Sequence, residues 1–251
     1  LPSGDTSIQC LGAGSITYEK EVPQVHKSIR DAFKHVSDWR KRNWGQTFMK
    51  KAQVKKMLSL LRRNKLCCCS DGSVNYNRSG HAWGIAVKGT AKILISRAAP
   101  VDGIPSKLNS TRAEMLGIIA CVTFLSLISD VHKIRNKTIV LYTDSEAAIT
   151  LATTRGLRST KYSFHTDIDV ILELRESLRL CPHKIILEYV EGHQDKTTPY
   201  ELLDYKAKLN VQMDRLVGKF MTENPVPWRH RVSAPLFPTQ RVCFRIRGVT
   251  I

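Results

Sequence analysis

Four carboxylates lie where strands and helices are expected to meet, and these residues are the best suited in the chain to chemistry. Asp71 and Asp144 are expected at the ends of two buried strands. Glu114 is expected in the first turn of a helix, and Asp214 within the last long helix. Ligand sites of open α/β sheets gather at the carboxyl ends of strands. The carboxylates of Asp71 and Asp144 would therefore lie a few ångströms apart if their strands are neighbours.

A cluster of carboxylates points to divalent cations and phosphoryl chemistry. Neighbouring carboxylates repel each other, and hard cations with oxygen ligands neutralise them best. Two such ions about 3.5–4 Å apart can hold both the attacking water and the leaving oxygen of an in-line phosphoryl displacement. Oxygen ligands favour Mg²⁺, with Mn²⁺ as the alternative. We therefore expect two bound Mg²⁺ ions.

Each carboxylate also has a simpler interpretation when it is taken alone. Asp71 precedes a glycine and could be a turn residue. Glu114 could interact with the dipole of its helix, and Asp144 could cap the helix that follows it. Asp214 could be a solvated helical residue. The ordered set of four, placed on the expected elements, favours a metal site.

The hydrophobic periodicity of residues 66–223 predicts the elements that must position these carboxylates. Three β-rich runs come first, LCCCSDGSV, HAWGIAVKG and AKILISRAAP, the last two joined by a turn at Gly89 and Thr90. The run STRAEMLGIIACVTFLSLI predicts a long helix capped by Ser110 or Thr111. The strand TIVLYTD, two helices, the strand KIILEYVEG and a final helix follow. This order predicts an α/β fold with a five-stranded mixed sheet flanked by helices.

The composition favours a polyanionic partner inside the cell. Lys and Arg number 39 against 22 Asp and Glu, which gives a net charge of +17, and each phosphate that such a chain neutralises releases counterions. The seven cysteines, three of them consecutive at 67–69, show neither disulfide-framework nor zinc spacing. They predict a reducing, intracellular compartment, either nucleus or cytoplasm. No apolar run reaches the roughly 18 residues that span a bilayer, so no membrane partner is expected.

Five short segments carry a resemblance to a known family. CSDGSV, STRAE, YTDSEAA, YVEGHQD and LNVQMDRLV are similar, in order and separation, to the signature segments of the RNase H family (type 1). The similarity covers roughly residues 66–218 and is greatest to the RNase H domains of retroelement reverse transcriptase polyproteins. It implies an RNase H-like fold and a metal-dependent endonuclease. Such an enzyme hydrolyses the RNA strand of RNA–DNA hybrids by a two-metal-ion mechanism.

The resemblance also implies roles for individual residues. The metal ligands would be Asp71, Glu114, Asp144 and Asp214. His193 would move protons during product release, which suits an imidazole near neutral pH. The hybrid would be contacted in its minor groove, where 2′-hydroxyl groups distinguish RNA from DNA. The residues expected to bind or orient it are Ser73, Asn75, Asn109, Ser110, Thr111 and Asn210.

Three regions are predicted along the chain. Residues 1–66 form a basic, partly helical segment, either a linker or the end of an upstream domain, with helical patterns around 26–39 and 46–63. The second pattern is basic and amphipathic, and it could lie on nucleic acid, on a membrane or against a partner domain. Residues 67–222 form the nuclease domain, and residues 223–251 a proline-rich extension with a short strand. The chain starts without Met and is interpreted as a piece of a longer protein or a processed product, so an upstream reverse transcriptase domain is a candidate partner.

Two other functions use the same fold. The first is a catalytically silent module that binds nucleic acid, although decayed domains usually lose acidic ligands and this chain keeps all four. The second is a nuclease for DNA strand transfer or junction cleavage, for which a preference for DNA substrates would be the evidence.

Overall fold

The computed structural model describes residues 28–45, 50–75, 78–103, 108–154 and 165–224, together with the backbone of four short terminal strands. The chain divides into two compact units. One joins Leu1–Val25 with Leu236–Ile251, and the other is His26–Pro235. In chain order the elements are β1 (Ile8–Gln9), β2 (Gly14–Thr17), α1 (Ile29–His35), α2 (Asp38–Asn43), α3 (Lys51–Arg62), β3 (Leu66–Asn75), β4 (Arg78–Val87), β5 (Ile93–Pro100), α4 (Ser110–Val131), β6 (Thr138–Thr143), α5 (Glu146–Thr153), α6 (Ile168–Leu180), β7 (Lys184–Tyr189), α7 (Tyr205–Glu223), β8 (Cys243–Ile246) and β9 (Val249–Thr250).

A five-stranded mixed sheet in the order β5-β4-β3-β6-β7 is the centre of the larger unit. Strands β3, β4 and β5 pair antiparallel, whereas β3, β6 and β7 run parallel. Successive side chains of β3 point to opposite faces. Ser70 lies beside Gly117 of α4. On the other face, Cys69 and Met213 of α7 both lie beside Gly84. The predicted α/β fold and its mixed sheet are therefore confirmed, with α4 on one face and α7 on the other.

Strand β3 is longer than its sequence predicts. The ladder with β4 continues through Asp71–Ala82 and Gly72–His81 and ends at Asn75–Arg78. Asp71 therefore lies inside the strand, and the expectation that it ends the strand, like its interpretation as a turn residue, is wrong. The polar residues after Asp71 pair through their backbone, which a hydrophobic pattern does not report.

The N-cap of helix α4 lies one residue before Ser110, the nearer of the two predicted caps. Asn109 is the N-cap, and its Oδ1 accepts a hydrogen bond of 2.8 Å from the Arg112 amide. Ser110 is then the first helical residue, which places Glu114 in the second turn rather than the first. The helix is long and apolar enough to cross a membrane, but 78% of its most apolar 18-residue stretch is buried inside the protein. Helix α4 is therefore the core helix of this fold.

The basic N-terminal helices pack on the same core. The predicted helix at 26–39 is in fact two, α1 and α2, separated at Ser37, whose hydroxyl caps α2. Trp44 is fully buried, packs edge-on against Phe124 of α4 at 5.5 Å between ring centroids, and donates a hydrogen bond of 2.9 Å to the Thr123 hydroxyl. These helices belong to the compact unit His26–Pro235, and the division of the chain into regions at residue 66 stays a prediction.

The smaller unit is a four-stranded antiparallel sheet in the order β1-β2-β8-β9. The strand predicted near the C-terminus is present as β8 and is followed by β9. Its partner β2 comes from the N-terminal Gly/Ser/Thr-rich stretch, where no strand was predicted. The proline-rich stretch before β8 lies outside the described residues.

Candidate active site

The strands that carry Asp71 and Asp144 are neighbours. Strands β3 and β6 pair in parallel with Cys68 opposite Leu141, and each aspartate lies three residues beyond its member of that pair. Ligand oxygens of Asp71, Glu114 and Asp144 all lie within 4.8 Å of one another. The structure therefore brings three of the four predicted ligands together in one group.

Glu114 is held by two donors and by a close approach of its helix to the sheet. Its Oε1 accepts a hydrogen bond of 2.7 Å from the Gly72 amide, and its Oε2 accepts one of 3.3 Å from the Thr143 hydroxyl. A Cβ at position 72 would lie 2.4 Å from the Glu114 nitrogen. Only glycine fits there, so Gly72 allows α4 to deliver Glu114 beside Asp71.

Asp144 is positioned by a second glycine. A Cβ on Gly192 would lie 2.5 Å from Asp144 Oδ2, so the loop after β7 presses directly on this carboxylate. The cap of α5 is Ser145, whose hydroxyl accepts a hydrogen bond of 3.1 Å from the Ala148 amide. The interpretation of Asp144 as a helix cap is therefore wrong, and its carboxylate belongs to the acidic group.

The group is electrostatically unfavourable without a cation. Asp71 is only 5% exposed. Burial, with the charges of Asp144 and Asp214, raises its pKa to about 8. Burial and the charges of Asp71 and Asp144 likewise raise the pKa of Glu114 well above its usual value. Asp71 Oδ2 is buried and has no hydrogen-bond partner among the described residues. An unpartnered oxygen in an all-carboxylate group fits a hard divalent cation such as Mg²⁺ or Mn²⁺.

Asp214 and His193 lie at the edge of this group. Asp214, on α7, is outside the set of three but contributes to the raised pKa of Asp71. His193 Nδ1 is 3.9 Å from Asp214 Oδ2, and the His193 side chain is 55% exposed. Arg215 connects the same loop to α7 through an ion pair of 3.1 Å with Asp195. The loop thus places His193 next to the fourth predicted ligand.

A sequence model of the RNase H family matches residues 63–221, more than half of the chain. The chain belongs to the RNase H family. No curated protein matched the chain. The family match covers all five strands of the central sheet and every residue of the acidic group.

Solved structures that resemble this RNase H chain come from cellular and viral proteins. RNase H1 from the archaeon Halobacterium salinarum is 13% identical with a TM-score of 0.43, covering 63% of this chain and 98% of that one. LC11-RNase H1 in complex with an RNA/DNA hybrid is 15% identical with a TM-score of 0.43, covering 62% and 95%. Prototype foamy virus protease-reverse transcriptase is 20% identical with a TM-score of 0.43, covering 62% of this chain and 20% of that one.

The residues predicted to bind the hybrid differ in how accessible they are in this RNase H fold. Ser110 and Asn75 are exposed, and Ser73 and Thr111 are half-buried. These four residues can reach a ligand, and their role stays a prediction.

The other two predicted asparagines, Asn109 and Asn210, are less available. Asn109 uses its Oδ1 as the cap of α4 and donates from Nδ2 to Asp167 at 2.8 Å. Asn210 is only 2% exposed, and its Nδ2 has no partner within the described part of the chain. Because Asn210 is covered by protein, its burial suits a residue that orients the site better than one that touches nucleic acid directly, and its role stays a prediction.

A buried ion-pair cluster that the sequence did not reveal fixes the start of α4. The Arg112 guanidinium binds Asp169 through two hydrogen bonds of 2.7 and 2.9 Å, and it contacts Asp167 at 3.2 Å. The Arg112 Nε also donates to the Asp102 carbonyl at 2.7 Å. These bonds connect α4 to α6 two residues before Glu114. No local pattern in the sequence indicated the bonds to Asp167 and Asp169, because these residues lie more than 50 positions from Arg112.

Proposed function

We propose that this RNase H domain hydrolyses the RNA strand of RNA–DNA hybrids with divalent metal ions, and that it is the RNase H part of a retroelement polyprotein. The observation that carries the proposal is the group of three carboxylates within 4.8 Å, which includes a buried and unpartnered oxygen of Asp71. Such a group is costly for a fold that only binds nucleic acid, since isolated buried charges are strongly destabilising. A bound catalytic metal ion would offset this cost, which explains why the carboxylates are clustered.

The proposed role of each residue follows from its position in the site. Asp71, Glu114, Asp144 and Asp214 are the proposed ligands of two Mg²⁺ ions, or Mn²⁺ in their place. When bound, these ions supply an activated water and stabilise the charge that develops on the leaving 3′-oxygen. The chain itself orients the ligands, with the Gly72 amide and Thr143 hydroxyl aligning Glu114.

His193 is the proposed proton carrier at the edge of the site. It is exposed and 3.9 Å from Asp214, so its imidazole can accept a proton on the side from which solvent enters. The exposed or half-buried Ser73, Asn75, Ser110 and Thr111 offer short donor and acceptor groups to 2′-hydroxyls of the RNA strand.

The test is cleavage of one end-labelled RNA strand presented as hybrid, as duplex RNA and as a single strand. The full chain is compared with Asp144→Asn in Mg²⁺, Mn²⁺ and EDTA. Glu223→Gln is the matched control, since it also removes one carboxylate charge but lies on an exposed part of α7. We expect cutting of the hybrid alone, lost in EDTA and in Asp144→Asn and retained in Glu223→Gln.

Metal binding is measured separately by isothermal titration of the same variants with Mn²⁺. Wild type and Glu223→Gln are expected to bind, and Asp144→Asn is expected to bind far more weakly. Tight hybrid binding without cutting in either metal would support the catalytically silent module instead. Cutting restricted to DNA would support a DNA nuclease.

A further inference from the structure

The end of the central sheet opposite the carboxylates carries a row of lysines, one at the end of each strand. In the spatial order β5, β4, β3, β6, β7, this lysine row consists of Lys92, Lys88, Lys65, Lys137 and Lys184. Backbone hydrogen bonds connect neighbours directly, from the Lys88 amide to the Lys65 carbonyl at 2.9 Å and from the Lys184 amide to the Lys137 carbonyl at 2.8 Å. Strands β3 and β6 run parallel side by side, so Lys65 and Lys137 lie at the same end.

More cations surround the lysine row, and acidic residues are nearly absent. The chain segments that meet at this end hold nine Lys or Arg residues and one acidic residue, Asp130, which leaves nine minus one, or eight, net positive charges. The segments are 61–66, 87–93, 130–138 and 180–185. Eight of the nine cationic side chains are exposed, and Lys137 is half-buried. Within the described ranges, Arg135 alone of the nine forms an ion pair, at 3.1 Å from Asp130.

The packing of the domain does not explain this concentration of charge. Like charges on neighbouring strands repel, and most of these side chains reach into solvent without an acidic partner in the described part of the chain. The repulsion even reaches buried groups, since Lys137 and Arg135 help to lower the pKa of His183 below its usual value, after burial. A surface of this kind attracts a polyanion, whose charge would offset its field.

The spacing of the lysine row fits a regular phosphate polymer. Neighbouring strands lie about 4.8 Å apart, so five strands spread the row over roughly 19 Å. Phosphates of a duplex repeat about every 3.4 Å along the axis of each strand, so this length corresponds to about six base pairs. Asp71 is six residues along β3 from Lys65, and at about 3.3 Å per residue the row lies roughly 20 Å from the acidic group.

We propose that the lysine row is a second nucleic-acid binding surface, which contacts the phosphate backbone of a duplex at the pole of the domain opposite the carboxylates. The duplex segment held there is separate from the one presented to the acidic group, because roughly 20 Å of sheet lies between the two surfaces. Its contacts are to phosphates and carry no base specificity. The proposal does not depend on catalysis by the carboxylates.

Binding of a 20-base-pair DNA duplex to the full chain tests the proposal. Fluorescence anisotropy is followed over a salt series in EDTA, so the result is the same whether or not the carboxylates can cut. The row variant combines Lys65→Gln, Lys88→Gln and Lys184→Gln. The matched control combines three exposed, scattered substitutions, Arg30→Gln, Lys34→Gln and Lys219→Gln, and has the same net charge.

The expected result is a change in the salt dependence of binding. Loss of three phosphate contacts should reduce the slope of log K against log salt by about 2.7 in the row variant, and the control should retain the wild-type slope. Equal slopes for the two variants would overturn the proposal, since total charge alone would then account for binding.

A second measurement uses the unsubstituted chain and therefore does not depend on how the variants fold. Lysines are acetylated with and without the DNA duplex, and the sites are quantified by mass spectrometry. The duplex should protect the lysine row and leave Lys34 and Lys219 equally reactive. Protection of the row by phosphatidylserine vesicles, with none by the duplex, would overturn the proposal in favour of a membrane surface.

Discussion

Asp71→Asn is expected to stabilise the metal-free protein while abolishing cleavage. Burial and the nearby charges of Asp144 and Asp214 raise the pKa of Asp71 from 3.8 to about 8. The folded protein then keeps a proton on Asp71 that the unfolded chain releases between about pH 4 and pH 8. Since the folded state binds the extra proton, stability falls as the pH rises through that window.

The pKa shift sets the size of the effect. A difference of about 4 pKa units corresponds to at most about 6 kcal/mol of lost stability above pH 8, and to about 3 kcal/mol at pH 6. Asparagine cannot ionise, so the variant escapes this loss. The gain in stability of Asp71→Asn over wild type should therefore grow steadily from pH 5 to pH 8.

Urea unfolding in EDTA at pH 5, 6.5 and 8 measures this difference. Trp44 and Trp83 are fully buried, so tryptophan fluorescence reports the exposure of the core. Glu223→Gln is the control for removal of one exposed carboxylate, and its stability should follow that of wild type at every pH.

Magnesium should narrow the difference in stability between the two proteins. A ligand at about 100 times its Kd stabilises the folded state by about 2.7 kcal/mol, a gain available to wild type and largely lost to Asp71→Asn. If the variant is no more stable than wild type in EDTA at pH 8, or if the difference does not change with pH, the electrostatic account of the acidic group is refuted.

Three further substitutions test other parts of the structure. Gly192→Ala places a Cβ 2.5 Å from Asp144 Oδ2, so the carboxylate must move; kcat for hybrid cleavage should fall about 100-fold, whereas Gly218→Ala, which meets nothing within 4 Å, should retain wild-type kcat. His81 is fully buried and burial lowers its pKa to about 3; because the unfolded chain binds the proton first, His81 should contribute a loss of about 3 kcal/mol between pH 7 and pH 4. The stability of His81→Leu relative to wild type should therefore rise by about that amount from pH 7 to pH 4 in paired urea titrations, and a constant difference would contradict it. Trp44→Ala should cost about 3–5 kcal/mol by urea unfolding, and a loss below about 1 kcal/mol would show that the N-terminal helices are not part of the core.

The sequence predicted the order of strands and helices because buried strands and long core helices leave a clear hydrophobic period. The strands TIVLYT and KIILEY and the long helix α4 were found where that period placed them. The cysteines at 67–69 were predicted to be strand residues and are buried in β3. The polar half of β3 and the break between α1 and α2 were missed, since hydrogen bonds and caps decide them rather than hydrophobicity.

The acidic group was also predicted only in part from the sequence. The residue types and their order were sufficient to select Asp71, Glu114, Asp144 and Asp214 as candidates, because all four lie in short segments that resemble the RNase H family. The roles of Gly72, Gly192 and Arg112 became visible only in three dimensions. Each acts through a contact with a residue more than 40 positions away, which no local pattern encodes.

The sequence by itself determined the fold class, the family and the identity of the acidic residues, because these depend on local period and on motifs within short segments. The tertiary structure decided how closely the carboxylates approach, that Asn210 is covered, and that one lysine at the end of each strand lies at the far end of the sheet. The physical reason is that strand pairing joins distant segments side by side. The distances between side chains, their burial and the electrostatic field around them depend on that pairing. They are therefore known only when the register of the sheet is known.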